Sequence, residues 1–191
     1  MFPVQVLENQ TFENIDCSDK KVHSPEFIDC VFKNCNFSNA NLACVKFIDC
    51  EFIDCNLTMV NLSGTSLKTV NFFNSKLTGI DFNNCNEFLF AVNFENCNLQ
   101  YASFYKRKLH KTIFKNCILN ETSFSECDLL LASFLNCNLI NAFFDKSNLS
   151  KADFTTSYNY IIDPEKNSLK KARFSADGIA GLLAKYDIII E

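Results

Sequence analysis

The residues best suited to chemistry in this chain are its eleven cysteines, two histidines and a group of acidic side chains in its first half. Cys30 and Cys35 stand five residues apart, as do Cys50 and Cys55. Thiolates at regular spacing can hold zinc, but no Cys-x-x-Cys pair and no neighbouring histidine accompanies them. The same spacing also suits small buried side chains in a chain that turns every five residues. We therefore expect structural thiols and no metal site.

Catalytic motifs are absent from the sequence. His23 and His110 stand far apart and outside any nucleophile or metal motif. The chain has no glycine-rich phosphate loop and no His-Glu-x-x-His segment. The sequence therefore predicts a protein that is not an enzyme, with no catalytic residue and no cofactor.

Four acidic residues lie close together in the repeated part of the chain. They are Asp29, Asp49, Glu51 and Asp54. Asp29 and Asp49 are twenty residues apart, which a twenty-residue repeat would place one above the other. Two interpretations stay open: a stripe of one sign that binds a partner, or outward positions that are simply polar.

The overall charge disfavours nucleic acid as a direct partner. The net charge is −4, with 11 acidic and 6 basic residues in positions 1–90, whereas phosphate binding calls for a basic face. A basic run covers residues 105–111. Within it, Arg107 stands at a position that holds a small, inward-facing side chain in the other five-residue repeats of the chain. Either the wall distorts there or the guanidinium escapes to the surface.

The sequence also limits the cellular setting. The first residues show no basic segment followed by an apolar run, and no apolar run approaches the ~20 residues that span a membrane. Eleven cysteines is an odd number, so they cannot all pair within the chain. These features predict reduced thiols, a cytoplasmic location and no membrane contact.

A five-residue period must position all of these side chains. Every fifth residue from Phe27 to Phe82, and again from Phe94 to Phe154, is Phe or Leu, with one two-residue slip between the two series. The residue two places earlier is small, and the other three are mostly polar. Helices repeat near 3.6 and strands at 2, so neither explains the pattern. The chain must turn a corner every five residues and bury two of them.

A twenty-residue period shows that four such sides make one coil. Phenylalanine and cysteine recur in this register and should form ladders inside the stack. The predicted core ladders are Phe32, Phe52, Phe72, Phe94, Phe114, Phe134 and Phe154, with Cys35, Cys55, Cys97, Cys117 and Cys137. The prediction is an all-β quadrilateral β-helix solenoid with a short C-terminal helix. About eight coils at strand spacing would give a rod of roughly 40 Å.

The solenoid is predicted over residues 1–174, with a degenerate first coil over about 1–26. The slip, at about 83–93, should make a bulge, because Glu87 falls where a core residue is due. Phe88 and Phe90 then have two possible roles. One of them refills the core, or Glu87, Phe88 and Phe90 form a protruding contact loop.

Residues 175–191 differ from the repeat. Ser175 is a suitable N-cap for a helix over 176–185, although Gly178 and Gly181 weaken it. A short strand-like end follows at residues 188–190. The helix would cap the open end of the solenoid or bury a second subunit. The residues assigned to this dimer interface are Ile179, Leu182, Leu183, Tyr186 and Ile188.

The repeat A(N/D)LXX, with Cys often in place of Ala, is typical of pentapeptide repeat proteins. The segments FSNANLACVKFIDCEFIDCNL and FENCNLQYASF carry it here. Together with the tail that begins NYIIDPEKNSLKKARF, they resemble the Qnr-type and the albicidin- and microcin-resistance members of that family. The resemblance implies a right-handed β-helix that dimerises through its C-terminal region. This chain differs from Qnr-type proteins in one respect. Those proteins have longer loops that project from the rod, whereas only a two-residue insertion is seen here.

By the same resemblance, the partner would be DNA gyrase or topoisomerase IV. The rod would imitate DNA and protect the enzyme from inhibitors such as quinolones, giving antibiotic resistance or immunity. Asp29, Asp49, Glu51 and Asp54 would then be the DNA-like acids. The alternative is a structural or scaffolding module with a partner that is not a topoisomerase. Mixed surface charge would favour that alternative.

Overall fold

Left-handed corner residues turn the chain at five-residue intervals. In the computed structural model, which describes residues 5–23 and 26–189, positive φ angles recur at this spacing, as at Asp29 (49°), Asn34 (51°) and Asn39 (53°). Asn and Asp tolerate this conformation better than other residues with a Cβ. Between corners the side chain of each centre points inward. The result is the predicted solenoid, whose fold class is confirmed.

Short parallel strands run along two of its sides. In chain order they are β1 (Val6–Glu8), β2 (Thr11–Glu13), β3 (Glu26–Ile28), β4 (Val31–Lys33), β5 (Lys46–Ile48), β6 (Glu51–Ile53), β7 (Ser66–Lys68), β8 (Val70–Phe73), β9 (Val92–Glu95), β10 (Ile113–Lys115), β11 (Ser133–Leu135), β12 (Asp153–Phe154) and β13 (Arg173–Phe174). One sheet has four strands in the order β1-β3-β5-β7, and the other has nine in the order β13-β12-β11-β10-β9-β8-β6-β4-β2. The nine-stranded sheet gives eight coil-to-coil steps.

The pairing register follows the sequence period. Phe27 lies beside Phe47, twenty residues on, and across the slip Val70 lies beside Val92. We call the side with β1, β3, β5 and β7 face 1, and the side with the nine-stranded sheet face 2. After the slip, face 1 continues through residues 108–111, 128–131, 148–151 and 168–171. Faces 3 and 4 join their coils mainly through single bridges, such as Asn36 to Asn56.

Stacked phenylalanine rings fill the interior. Along face 2 the rings from Phe12 to Phe174 stack with centroids 4.6–5.3 Å apart. A second stack on face 4 runs from Phe82 to Phe144 and meets the first edge to face, as at Phe104 and Phe114 (5.8 Å). Edge-to-face and offset geometries are those that aromatic rings prefer. All seven phenylalanines of the predicted ladder are buried.

The cysteines of the predicted ladder are buried beside these rings, and all eleven cysteines are free thiols. The Cys55 thiol donates to the Phe32 carbonyl of the preceding coil at 3.3 Å. Ser75 takes the cysteine place in the next coil and donates to the Phe73 carbonyl at 2.8 Å. Each small residue therefore ties its corner to backbone and leaves space for the rings.

The helix predicted over 176–185 is wrong in its extent. The α-helix is only α1 (Ala180–Leu183), and a 3-10 turn, η1 (Ala184–Tyr186), follows it. Ser175 does accept a hydrogen bond from the Gly178 N–H at 3.1 Å, but residues 176–179 form turns. No strand forms over 187–189, and Ile190 lies outside the described residues. In the described ranges no helix is long and apolar enough to cross a membrane.

Close packing on Tyr160 explains the short helix. A Cβ on Gly178 would lie 2.0 Å from the Tyr160 hydroxyl, and one on Gly181 would lie 2.1 Å from the Tyr160 carbonyl oxygen. Tyr160 is buried against Phe154 and Phe174, so the glycines let the segment close over the last rings. A solenoid needs such a cover where its interior would otherwise meet water. The segment therefore caps the core by backbone contact.

Candidate interaction surfaces

The four predicted acidic residues lie around face 2 in two successive coils. Asp29 and Asp49 occupy the corner between faces 1 and 2 with positive φ, and their N–H groups donate to Ile48 and Lys68 in the next coils at 3.0 and 2.9 Å. Glu51 begins β6, and Asp54 occupies the following corner. Asp29, Asp49 and Asp54 are exposed and Glu51 is half-buried. The structure thus brings the four together on one part of the surface.

None of these four carboxylates forms an ion pair with a described residue, in contrast to Glu26 and Glu95. Elsewhere, a cation one coil away neutralises the acid: Lys46 with Glu26 at 3.3 Å, and Lys115 with Glu95 at 2.7 Å. The acidic group is also short. The next coil continues it with Thr69, Asn71 and Asn74. It is therefore a local negative patch two coils long, with a spacing of about 4.8 Å between coils.

The slip produces a projecting loop over residues 86–91, which we call the slip loop. Its turn is closed by the Phe90 N–H, which donates to the Glu87 carbonyl at 3.3 Å. Phe88 is 67% exposed and lies under the Lys68 ammonium at 5.1 Å, while Glu87 is exposed as well. Phe90 is half-buried and packs edge to face on Phe82 at 6.3 Å. Phe90 thus covers the core, and Phe88 projects from it.

Arg107 holds the slip loop in place. The sequence leaves two alternatives for this residue, a distorted wall or a guanidinium at the surface. It is 3% exposed, so the guanidinium does not escape to the surface. Its Nε donates to the Phe82 carbonyl at 2.8 Å, and its terminal nitrogen donates to the carbonyls of Asn83 and Cys85. The guanidinium also stacks on the Phe90 ring at 4.9 Å. Carbonyl groups released by the slip therefore bind this buried cation.

A groove of about 480 Å³ opens beside the slip loop. Phe88, Leu89 and Phe90 line one side, and Lys106 and Lys108 line the other. Lys106 pairs with Glu126 at 3.5 Å across the corner between faces 4 and 1. Glu87 and the buried Arg107 complete the lining, so the groove combines apolar side chains with charges of both signs.

The predicted dimer residues divide between exposed and packed positions. Ile179, Tyr186 and Ile188 are about half exposed, whereas Leu182 packs against the core and Leu183 is half-buried. Leu182 belongs to the cap more than to an outer surface. The exposed apolar side chains in the described part of the tail thus form a discontinuous surface, and its role as a dimer interface stays a prediction.

Polar contacts fix this tail to the last coil. The Lys185 ammonium contacts Asp163 at 2.7 Å and Glu165 at 2.6 Å, and the Tyr186 hydroxyl donates to Glu165 at 3.0 Å. The hydrogen bond from Lys185 lowers the pKa of the Asp163 carboxyl and also that of Glu165. Desolvation acts the other way on Lys185, but the two carboxylates raise the pKa of its ammonium.

The remaining chemical candidates have structural positions. Within residues 5–23 and 26–189, no group of three His, Cys, Asp or Glu side chains is arranged to hold a metal ion. Burial raises the pKa of the Cys50 and Cys127 thiols to about 12, so both stay protonated. Cys44 is exposed, at the corner between faces 4 and 1. His110 lies against Asp128 on the surface.

Sequence reasoning missed an apolar surface near the C-terminal end. Phe143 and Ile161 are 58% and 62% exposed and line one groove together with Phe144 and Lys166. A large apolar residue at an outward position of the repeat, as at Phe143, was the available signal. It also missed the asparagine ladder at the corner between faces 2 and 3, where Asn96 donates to Asn74 at 3.0 Å.

The family follows from the repeat and the fold together. The model for the pentapeptide repeat region matches residues 25–87 and 88–158. These two segments make up more than half of the chain, so the chain belongs to the pentapeptide repeat family. A comparison with curated proteins found no match.

Solved structures of the same class are similar over nearly the whole chain. A trypsin-treated variant of QnrB1, a plasmid-mediated fluoroquinolone resistance protein, is 26% identical with a TM-score of 0.52, and the match covers 97% of this chain and 91% of that one. A second trypsin-treated QnrB1 variant is 21% identical, with a TM-score of 0.48 and 98% of each chain covered. HetL, a pentapeptide repeat protein of the cyanobacterium Nostoc sp. strain PCC 7120 involved in heterocyst differentiation regulation, is 16% identical, with a TM-score of 0.37 and 92% of each chain covered.

Proposed function

We propose that this protein binds a type II topoisomerase, DNA gyrase or topoisomerase IV, and protects it from inhibitors. The observation that carries the proposal is the near full-length likeness to a fluoroquinolone resistance protein. The acidic patch supports it, because its carboxylates are unpaired with any described residue and face solvent on a rigid support. A cationic surface that normally binds DNA phosphates would accept them by charge complementarity.

The slip loop supplies the second contact of this proposal. Phe88 is an exposed aromatic side chain on a loop held by the buried Arg107, so little conformational entropy is lost when a partner covers it. The loop and the acidic patch belong to one continuous stack of paired coils, which fixes their separation. A DNA-mimicking contact would thus combine electrostatic attraction with one apolar anchor. In this proposal the tail residues Ile179, Tyr186 and Ile188 join two rods end to end.

A supercoiling assay tests the proposal. Purified protein is added to gyrase with and without a quinolone and with and without albicidin, and supercoiled product is measured. The expected results are competition with DNA and restored supercoiling in the presence of at least one inhibitor. No effect at micromolar concentrations, in either arm, would reject a topoisomerase partner.

A matched pair of variants tests the acidic patch. Replacing Asp29, Asp49 and Asp54 by Asn and Glu51 by Gln removes the charge, and Asn is already present at such corners, as at Asn34. The control removes the same number of charges elsewhere on the chain, by Asp19→Asn, Glu121→Gln, Asp145→Asn and Asp177→Asn. Protection should fall about tenfold in the first variant and stay unchanged in the control. Equal effects of the two variants would remove the patch from the proposal.

The second candidate function is a scaffolding module with another partner. Mixed charge favours it, since Lys46 and Lys68 lie on face 1 beside the acidic patch and face 1 turns basic after the slip. The exposed Phe143 and Ile161 give such a partner an apolar contact. A stable complex that contains no topoisomerase subunit, isolated with the full chain, would support this candidate.

A further inference from the structure

The charge on face 1 changes sign at the slip loop. Before the loop, face 1 has outward carboxylates without an ion pair to any described residue at Glu8, Asp29 and Asp49, and one half-buried lysine without such a pair, Lys68, which lies over Phe88. After the loop, outward lysines likewise unpaired within the described residues are Lys108, Lys111, Lys151, Lys170 and Lys171. One side of the rod is therefore acidic toward its N-terminal end and basic toward its C-terminal end.

The two halves have the same length, and an apolar element separates them. Face 1 has four segments before the slip loop, at residues 6–9, 26–29, 46–49 and 66–69, and four after it. The slip loop between them exposes Phe88 and Leu89. An apolar centre flanked by two opposite charges at equal distances is self-complementary when a second copy is turned end for end.

We propose that two copies of this chain associate side by side and antiparallel through face 1, about a two-fold axis at the slip loop. A rotation about an axis that lies in the interface and crosses the rods reverses the order of the coils. It also keeps each corner opposite the same corner of the partner. Segment 26–29 then faces segment 148–151 of the second copy, and segment 46–49 faces segment 128–131.

This register pairs side chains of opposite charge in several coils. Asp29 faces Lys151 of the second copy, and both occupy the same corner with positive φ. Ile48 faces Leu130 in the same register, which adds an apolar pair. The position of the axis at the slip loop fixes every one of these pairs. The other charge pairs are Glu8 with Lys170 and Lys46 with Asp128, each at equivalent positions beside the centre of its segment, and Lys46 and Asp128 also contact Glu26 and His110 of their own chain. In the same register Asp49 faces Leu131 and Lys68 faces His110, and these two positions add no attraction.

The expected interface is modest and sensitive to salt. Nine coils at about 4.8 Å, with a side about 10 Å wide, give roughly 400 Å² for each copy. That is about half of what a standard stable interface buries, so the association should be weak and transient. Exposed ion pairs are screened over about 10 Å at 0.1 M salt, so raising the salt should dissociate the pair.

Self-association of this kind would cover part of the acidic patch. Asp29 and Asp49 would face the second copy and would not be open to a topoisomerase. The side-by-side pair is thus a competing state for that surface. It is separate from the end-to-end dimer expected of the tail, because it uses neither Ile179 nor Ile188.

Charge exchange at one pair gives a test on the full chain. Asp29→Lys and Lys151→Asp each place like charges opposite one another, whereas the double variant restores opposite charges. Both residue types already occupy this corner, so folding should be kept, and circular dichroism checks it. The matched control is Glu121→Lys, at a corner on another side of the rod.

Sedimentation velocity at about 50 mM and about 500 mM salt gives the readout. The expected result is about tenfold weaker association for each single variant, recovery in the double variant and no change in the control. A chain that stays monomeric at about 200 μM in low salt, or an association that ignores both single exchanges, would overturn the proposal.

A cross-link at the axis distinguishes this pair from an end-to-end dimer. In Cys44→Ser with Phe88→Cys, the two new thiols would meet across the two-fold axis and form an intermolecular disulfide under mild oxidation. In an end-to-end dimer, about four coils would separate each thiol from the junction, or about 40 Å between the two thiols. A disulfide dimer in low salt that high salt suppresses supports the side-by-side pair. A monomer under both conditions contradicts it.

Discussion

Replacing Phe114 by Ala tests how strongly the ring stack holds the solenoid together. Phe114 has no exposed surface, and it stacks on Phe94 at 5.3 Å and on Phe134 at 4.9 Å. Phe104 and Phe124 add edge-to-face contacts at 5.8 and 5.5 Å. Rings above and below are fixed by backbone pairing, so the cavity cannot collapse. The expected loss is about 4–5 kcal/mol of unfolding free energy, at the upper end for Phe→Ala.

Two further substitutions calibrate this value. Phe174 lies at the end of the same stack, is half-buried and has one stacked neighbour, Phe154, at 5.2 Å. Phe174→Ala should therefore cost only about 1–2 kcal/mol. Phe114→Leu keeps most of the apolar volume, and leucine already fills the neighbouring centres at Leu109 and Leu119, so its loss should be about 1–1.5 kcal/mol.

Urea unfolding followed by circular dichroism measures these losses. The unfolding slope must be compared as well, because a solenoid joined only by nearest-neighbour contacts can divide into two cooperative units at a weakened coil. A loss under about 1 kcal/mol for Phe114→Ala, or equal losses at the middle and at the end of the stack, would refute a rigid and continuous ring stack.

Three predictions concern the cap, its polar contacts and the thiols. Gly181→Ala should loosen the C-terminal segment, since its Cβ would meet the Tyr160 carbonyl, and hydrogen exchange of residues 176–186 should rise while the coils stay protected. The hydrogen bond from Lys185 depresses the folded-state pKa of Asp163. This contact is therefore fully present above the ordinary pKa of an aspartate and is lost as the pH falls through the lower folded-state pKa, and chemical shifts of the tail should follow that titration. Cys44 should react with a maleimide well before the ten buried cysteines, and mass spectrometry should find one label in the native protein and eleven after unfolding.

The repeated part of the fold could be predicted because every coil buries the same types of residue at the same positions. A Phe or Leu every fifth residue, as at Phe27 and Phe32, fixes the turn, and the twenty-residue period fixes the register. The slip loop was located from Glu87, which cannot fill a core centre. Of the two roles left open for the loop, refilling the core is seen at Phe90, while Phe88 projects and its contact with a partner stays a prediction.

Other features depend on contacts that no local pattern contains. Arg107 is buried because a slip about twenty residues earlier frees backbone carbonyls for it, and a guanidinium reaches several of them at once. The tail helix is limited to Ala180–Leu183 because Gly178 and Gly181 pack closely on Tyr160 and residues 176–179 form turns in place of the first helical turns. Neither outcome follows from spacing alone.

At the corner between faces 1 and 2, acidic and basic residues have the same left-handed backbone conformation. Asp tolerates positive φ, so Asp29 and Asp49 are accounted for by the backbone alone. Lys111, Leu131 and Lys151 have the same conformation at later coils, where it costs them about 1 kcal/mol or more relative to residues that favour it. Met59, Tyr101 and Glu121 have the same conformation at another corner, so this cost does not single out the lysines. Asp29 and Lys151 share both the corner and its φ, and exchanging their charges therefore tests the proposed pairing at a constant backbone conformation, which neutralising the acidic patch does not.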